Sequence, residues 1–171
     1  MSLKPAVGSQ DHLQGDDSAS IEIVEYGDYQ CPHCGNAHPI IKEIQETFGH
    51  QIRFVFRNFP LSESHEYAFA AALAAEAAAL QNKLWEMHDA LYENQNRMDD
   101  NLFEELAVQL GLDVVQFRKD VESANLKQHV EYDFESGIRS GVNGTPSFYV
   151  NGEKFDGGAT DLYQMLKEST E

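Results

Sequence analysis

Between Ile21 and Pro60 the hydrophobic period changes twice, and this stretch limits the possible folds more than any other. Ile21 to Tyr26 alternates, with Ile21, Ile23 and Glu25 on one face and Glu22, Val24 and Tyr26 on the other, the two-residue period of a strand. From Pro32 the period becomes helical. Ala37, Ile41, Ile44 and Phe48 follow one stripe, and Gly49 stands where a glycine closes a helix. Pro39 lies inside this helix and is expected to kink it. Ile52, Phe54 and Phe56 then alternate with Arg53, Val55 and Arg57, a second strand that ends at Asn58-Phe59-Pro60. Strand, helix and strand make a βαβ unit, with parallel strands and a right-handed crossover. A strand inside such a sheet is covered on both faces. Glu25 therefore falls on an apolar face, as either a solvated strand end or a buried acid.

The junction of the first strand and the helix carries the only two cysteines, in Cys31-Pro32-His33-Cys34. Thiols at this spacing can close a small disulfide with little backbone movement. Cys31 at the helix start meets unpaired N–H groups and the positive end of the helix dipole, both of which favour a thiolate. Pro32 suits the first helical position, where a missing N–H costs nothing. Cys31 thus reads as the exposed nucleophile at the N-cap and Cys34 as its partner one turn in. Half of a zinc site is the other reading of the spacing. A structural zinc usually wants four N or S ligands, and no second C-x-x-C or H-x3-H completes the set, so no metal is expected here. So short a loop would also add little as a structural disulfide.

Cys-Pro-His-Cys after an alternating strand resembles the active site of the DsbA family of thiol–disulfide oxidoreductases, within the thioredoxin superfamily. The resemblance extends from about Ile21 to Leu166. It implies an α/β, thioredoxin-like fold with an inserted all-helical subdomain. It also implies redox exchange of protein thiols at Cys31 and Cys34, with His33 and Pro32 completing the motif and His33 favouring the Cys31 thiolate. Glu25 matches the buried acid that relays a proton to the inner cysteine. Thr145-Pro146 matches the cis-proline dipeptide that faces the C-x-x-C and offers backbone groups to an extended substrate. Thr145 departs from the Val of the best-known DsbA proteins. Without the cysteines, Pro146 would mean only that the first residue of a strand needs no N–H partner.

The rest of the chain is read in the same terms. Residues 1–19 are polar and are expected to form an arm that packs loosely or not at all. Residues 20–61 and 140–171 are assigned to the thioredoxin-like domain. Residues 62–139 carry helical signals and no strand pattern, hence a helical insertion. Ser62 or Ser64 is expected to cap a helix through Leu80. Leu84, His88 and Leu91 mark a second helix, and Leu102, Leu106 and Leu110 a third, closed by Gly111. Asp113 with Gln116 is a capping-box pattern for a fourth, and Leu126 to Ile138 reads as a fifth. His65, His88 and His129 fall inside the insertion and receive no role, and His38 is read as a surface or packing residue. Asn151-Gly152 between two short strands is a hairpin signal, and Thr160 is expected to cap the last helix.

Composition bears mainly on partners. Twelve Lys and Arg against 29 Asp and Glu give a net charge of −17. Such a surface repels phosphate backbones and anionic membranes, which argues against nucleic-acid or lipid binding. No run of 18 apolar residues is present, so no membrane span is expected. The expected partners are protein or peptide thiols and a protein that recycles the redox state, with the chain itself a monomer and no organic cofactor. No basic segment leads into an apolar one at the start, so the cytoplasm is the expected location, or the periplasm if a leader has been removed. Three alternatives remain. One is a redox-switched or zinc-loaded adaptor that uses the insertion to hold a partner. Another is a disulfide isomerase or reductase in place of an oxidase. The third is an isomerase acting on a small molecule, against which Cys31 argues because such relatives usually carry Ser there.

Overall fold

The computed structural model describes residues 1–170. Its centre is a five-stranded sheet in the order β1-β3-β2-β4-β5, formed by β1 (His12–Gly15), β2 (Ile21–Gly27), β3 (Ile52–Asn58), β4 (Ser147–Val150) and β5 (Glu153–Phe155). β2 and β3 are parallel, in the register Ile23↔Phe54 and Glu25↔Phe56. The other three pairings are antiparallel. Helix α1 (Pro32–Phe48) makes the crossover between β2 and β3.

Between β3 and β4 run five helices, α2 (Ala68–Leu80), α3 (Leu84–Glu93), α4 (Asp100–Gln109), α5 (Val114–Val121) and α6 (Ala124–Ser140). A final helix, α7 (Ala159–Ser169), packs beside α1. The two-residue period of the strands sorts their side chains into two cores. Ile23, Phe54, Phe56 and Phe148 face α1, α7 and the inserted helices. Val24, Tyr26, Val55 and Tyr149 face the other way, onto Phe59, Val142 and Leu3. Each fully buried side chain of this size contributes about 1.5–3 kcal/mol of burial free energy, so both faces of β2 and β3 add to stability.

Several local expectations hold. Asn151 and Gly152 have φ of 50° and 87°, the left-handed pair that the hairpin turn between β4 and β5 requires. The Asp113 carboxylate accepts the Gln116 N–H and caps α5. The Asp113 N–H goes instead to Gln81 Oε1 at the end of α2, so the box is shared between two helices.

Others are corrected. Residues 1–19 are not a loose arm. β1 pairs with β3 over four residues, Leu3 is buried, and its N–H reaches Gly152 O at 2.8 Å. Arg57, buried on β3, explains this docking. Its guanidinium donates to both Asp11 carboxylate oxygens, at 2.8 and 2.9 Å, and an unpaired charge at that depth would be costly. Neither Ser62 nor Ser64 caps α2. The stretch from Leu61 to His65 is instead a turn, with the Ser64 and His65 N–H groups on Leu61 O. Thr160 lies inside α7, which begins after Gly158. The Asp161 carboxylate accepts the Gly158 N–H there.

Candidate active site

The site is built where β2 ends. Asp28, fully buried, organises the turn. Its carbonyl accepts the Cys31 N–H at 3.1 Å. Its carboxylate accepts the Gln30 N–H at 2.8 Å, the Leu61 N–H at 3.0 Å and His65 Nδ1 at 2.7 Å. Tyr29 and His88 share a 2.8 Å hydrogen bond beneath the turn, where burial holds His88 well below its ordinary pKa and keeps it neutral. So His65 and His88, given no role from sequence, both brace residues next to the cysteines. Gln95, just after α3, donates from one amide nitrogen to Tyr29 O at 2.9 Å and Cys31 O at 2.8 Å. A Cβ on Gly35 would lie 2.3 Å from the Gln95 side chain, so glycine is needed for this approach. Gln95 sits in a polar run, Glu93 to Arg97, that carries no sequence signal for the contact.

Cys31 occupies the N-cap of α1 with extended backbone angles, and Pro32 takes the first helical position. Both cysteines are free thiols. Cys34 is fully buried. Cys31 is only 4% exposed, less than the sequence reading expects, because Thr145 and Gln95 close over it. The two thiols are strongly unequal. The Cys31 pKa is lowered to about 5, first by the hydrogen bond from Cys34, then by Thr145 and by the backbone N–H groups of Cys34 and His33, against the opposing effect of burial. Cys34 is pushed far up by donating that bond, by burial and by the nearby Glu25. At neutral pH Cys31 is therefore the thiolate and Cys34 the thiol.

Glu25 is 3% exposed on the face of the sheet that meets α1, and burial raises its pKa to about 8, with the Cys31 charge adding to the rise. Its Oε2 has no hydrogen-bond partner. A Cβ on Gly27 would come within 2.7 Å of that oxygen and 2.5 Å of Phe56, so Gly27 leaves the room the carboxyl needs. The Thr145–Pro146 peptide is cis, and the Cys31 thiol lies 3.7 Å from Thr145 O. Thr145 Oγ1 is buried and has no hydrogen-bond partner. His33 reaches Cys31 through its backbone N–H. Among the described residues its exposed imidazole makes no hydrogen bond to the sulfur. It lines an open groove of about 510 Å³ with Ala37, Ile40, Thr145, Pro146 and Thr160.

The sequence model of the thioredoxin family matches residues 8–167. The chain belongs to the thioredoxin family. Among curated relatives, a Na(+)/H(+) antiporter NhaA 1 of Mycobacterium sp. (strain KMS) is 38% identical over 91% of this chain, but the match covers only 26% of that protein. The chain thus spans about a quarter of the length of the curated relatives it matches. Solved structures align over nearly the whole chain. A thioredoxin-like oxidoreductase from Silicibacter pomeroyi DSS-3 has a TM-score of 0.79 at 26% identity, covering 95% of this chain and 94% of that one. BdbD from Bacillus subtilis has 0.84 at 25%, covering 98% and 94%. The thiol-disulfide exchange protein alpha-DsbA2 from Wolbachia pipientis, at 23% identity, shares the fold, with a TM-score of 0.82 over 94% of this chain and 86% of that one. Within the thioredoxin family the architecture is the DsbA type, with helices set between β3 and β4. In that fold, a C-x-x-C pair polarised at a helix start has the arrangement that thiol–disulfide exchange requires.

Proposed function

We propose that this domain exchanges disulfides with protein or peptide thiols, with Cys31 as the attacked and attacking sulfur and Cys34 as the resolving one. The observation that carries this reading is the depressed pKa of Cys31 beside a buried Cys34 thiol. In the oxidising direction a substrate thiolate attacks Cys31 Sγ of the closed disulfide. The Cys31–Cys34 bond breaks and the electron pair leaves with Cys34. Cys34 is buried and cannot stay charged, so it takes a proton. Glu25, protonated up to about pH 8 and buried close by, is the acid suited to supply it. A second substrate thiolate then attacks the substrate sulfur of the mixed disulfide, forms the product disulfide and releases Cys31 as a thiolate. A low-pKa thiol is a good leaving group, which speeds this step. The groove beside Thr145 and Pro146 suits an extended peptide.

Anything that stabilises the Cys31 thiolate stabilises the reduced protein, so the pair is poised as an oxidant. An oxidant of protein thiols belongs in an extracytoplasmic compartment. The Na(+)/H(+) exchange in the names of the longer relatives is not attributed to this domain. Among the described residues no helix is long and apolar enough to cross a membrane.

The test is capture of mixed disulfides, together with the reduction potential against glutathione. Cys34→Ser should retain thiol partners on Cys31, and the potential should lie above that of a reducing thioredoxin. Capture by Cys31→Ser and not by Cys34→Ser would reverse the roles. Stoichiometric zinc on the two thiols of the purified protein would favour the adaptor reading instead.

A further inference from the structure

Away from the two cysteines, three elements distant in sequence bring imidazole and carboxylate groups to one point. His12 comes from β1, Glu76 from α2 and His129 from α6. One ligand atom of each lies within 4.8 Å of the other two. His12 Nε2 is 2.8 Å, and His129 Nε2 3.3 Å, from the same oxygen, Glu76 Oε1. Asp133, one turn beyond His129, places Oδ2 3.6 Å from His129 Nε2. Asn58, the last residue of β3, orients both acids. Its side-chain amide donates to Glu76 Oε2 and to Asp133 Oδ2, each at 3.0 Å, and its backbone N–H also donates to Asp133 at 3.0 Å.

Glu76 and Asp133 are both buried, with side chains 5% and 8% exposed, and they share one amide donor. The groups facing them are the imidazoles of His12 and His129. Two imidazoles and a carboxylate are the donor set of a first-row divalent cation of the zinc type, not of calcium or magnesium, which prefer all-oxygen ligands. Ligand atoms around a tetrahedral zinc, at about 2.0–2.1 Å from the metal, stand about 3.3 Å apart. The present spacings need only small side-chain rotations to reach that. An open cavity of about 610 Å³, lined by Asp11, His12, Glu76, Leu126, His129 and Tyr132, gives a route in and room for water in a fourth position. Asn58 and Asp133 would serve as the outer partners that such ligands usually have.

The geometry points to a divalent zinc-type metal site whose ligands are His12, Glu76 and His129, clamping β1 onto the inserted helices α2 and α6. It stands apart from the thiol chemistry. The sequence reading expected no metal because no second C-x-x-C or H-x3-H is present; His12 and Glu76 are 64 residues apart, so no local motif announces them.

The experiment uses tag-free protein with the Cys31–Cys34 disulfide closed, so that no thiolate competes for metal. Zinc chloride is titrated in competition with a chromogenic chelator, and thermal unfolding is followed with and without zinc. One equivalent should bind per chain, and the midpoint should rise and fall back with EDTA, since a ligand that binds only the folded state stabilises it. Cobalt(II) should give the visible absorption of a four-coordinate nitrogen and oxygen site. His12→Ala and His129→Ala should each weaken zinc at least tenfold, while His50→Ala, at a fully exposed histidine, should not. If a variant fails to fold, the wild-type zinc and cobalt titrations decide alone. Absence of stoichiometric binding, unchanged affinity in both ligand variants, or binding of calcium in preference to zinc would each overturn the proposal.

Discussion

Replacing Thr145 with Val should raise the Cys31 pKa and make the disulfide less oxidising. The Cys31 thiol lies within reach of Thr145 O, and it gives up its own proton when it ionises. The Thr145 hydroxyl is buried with no hydrogen-bond partner, free to donate to the thiolate, and is among the groups that lower the Cys31 pKa. Val keeps the shape and removes the donor. A hydrogen bond to a charged group is worth about 1.5–3 kcal/mol. At about 1.4 kcal/mol per unit, its loss moves the pKa up by roughly 1–2 units. Take a rise of about 1.5 units from about 5. At pH 7, ionisation then favours the reduced form by about 0.8 kcal/mol, where it favoured it by about 2.7 before. The difference corresponds to a potential lower by about 40 mV for a two-electron couple. The sign follows from the depressed pKa. The thiolate's contribution is fully present above the ordinary thiol value and is lost as pH falls through about 5. Wild type and variant should therefore converge near pH 4. Thiolate absorbance against pH gives the pKa, and equilibration with glutathione at several pH values gives the potential. Thr145→Ser, which keeps the hydroxyl, should stay close to wild type. An unchanged pKa in Thr145→Val would refute the reasoning and leave Cys34 and the backbone N–H groups as the thiolate's only support.

Three further variants probe the surroundings. Glu25→Gln should slow disulfide exchange in stopped-flow assays. Because the folded pKa is raised to about 8, wild type should lose stability as pH rises from the ordinary carboxylate range through 8, and the variant should lack that slope in denaturant titrations. Gln95→Ala leaves the Tyr29 carbonyl without its donor and should cost about 1–2 kcal/mol of stability, with faster hydrogen exchange in the turn before α1. His33→Ala keeps the backbone N–H that reaches Cys31 and should move the thiolate pKa less than Thr145→Val does; a larger shift in the same titration would restore a direct role for the imidazole.

What the sequence made legible was whatever depends on neighbours along the chain. The change of period at Pro32 marked the start of α1, and Asn151-Gly152 marked the hairpin. Alternation placed Glu25 on an apolar face and left open whether it was buried. What it concealed was set by contacts across the fold. β1 has only four residues, His12 to Gly15, and none is a strong strand former with a clear partner; its docking depends on Arg57, whose need for a counter-ion is invisible in an alternating pattern. Ser62, Ser64 and Thr160 have good capping chemistry, but Asp28 and Asp161 determine where those backbones go. Gln95, His65 and His88 brace the active-site turn from the segment between β3 and β4, and Thr145 and Gln95 close on Cys31. A local reading of Cys31-Pro32-His33-Cys34 finds the helix start and misses the lid.

The cover over Cys31 also has a consequence for the order of synthesis. Thr145 lies 114 residues after Cys31 and Gln95 lies 64 residues after it. A ribosome that has just released the cysteines has made neither. Until the later residues emerge and dock, Cys31 sits on an uncovered helix end, without the hydroxyl that helps hold its charge and without the amide that pins its carbonyl. The nascent chain then carries a more ordinary, less ionised thiol, poorly suited to trading disulfides with whatever it meets. Full reactivity arrives when the last strands close the sheet. The fold thereby makes the potency of its nucleophile a report that the sheet of this domain has closed.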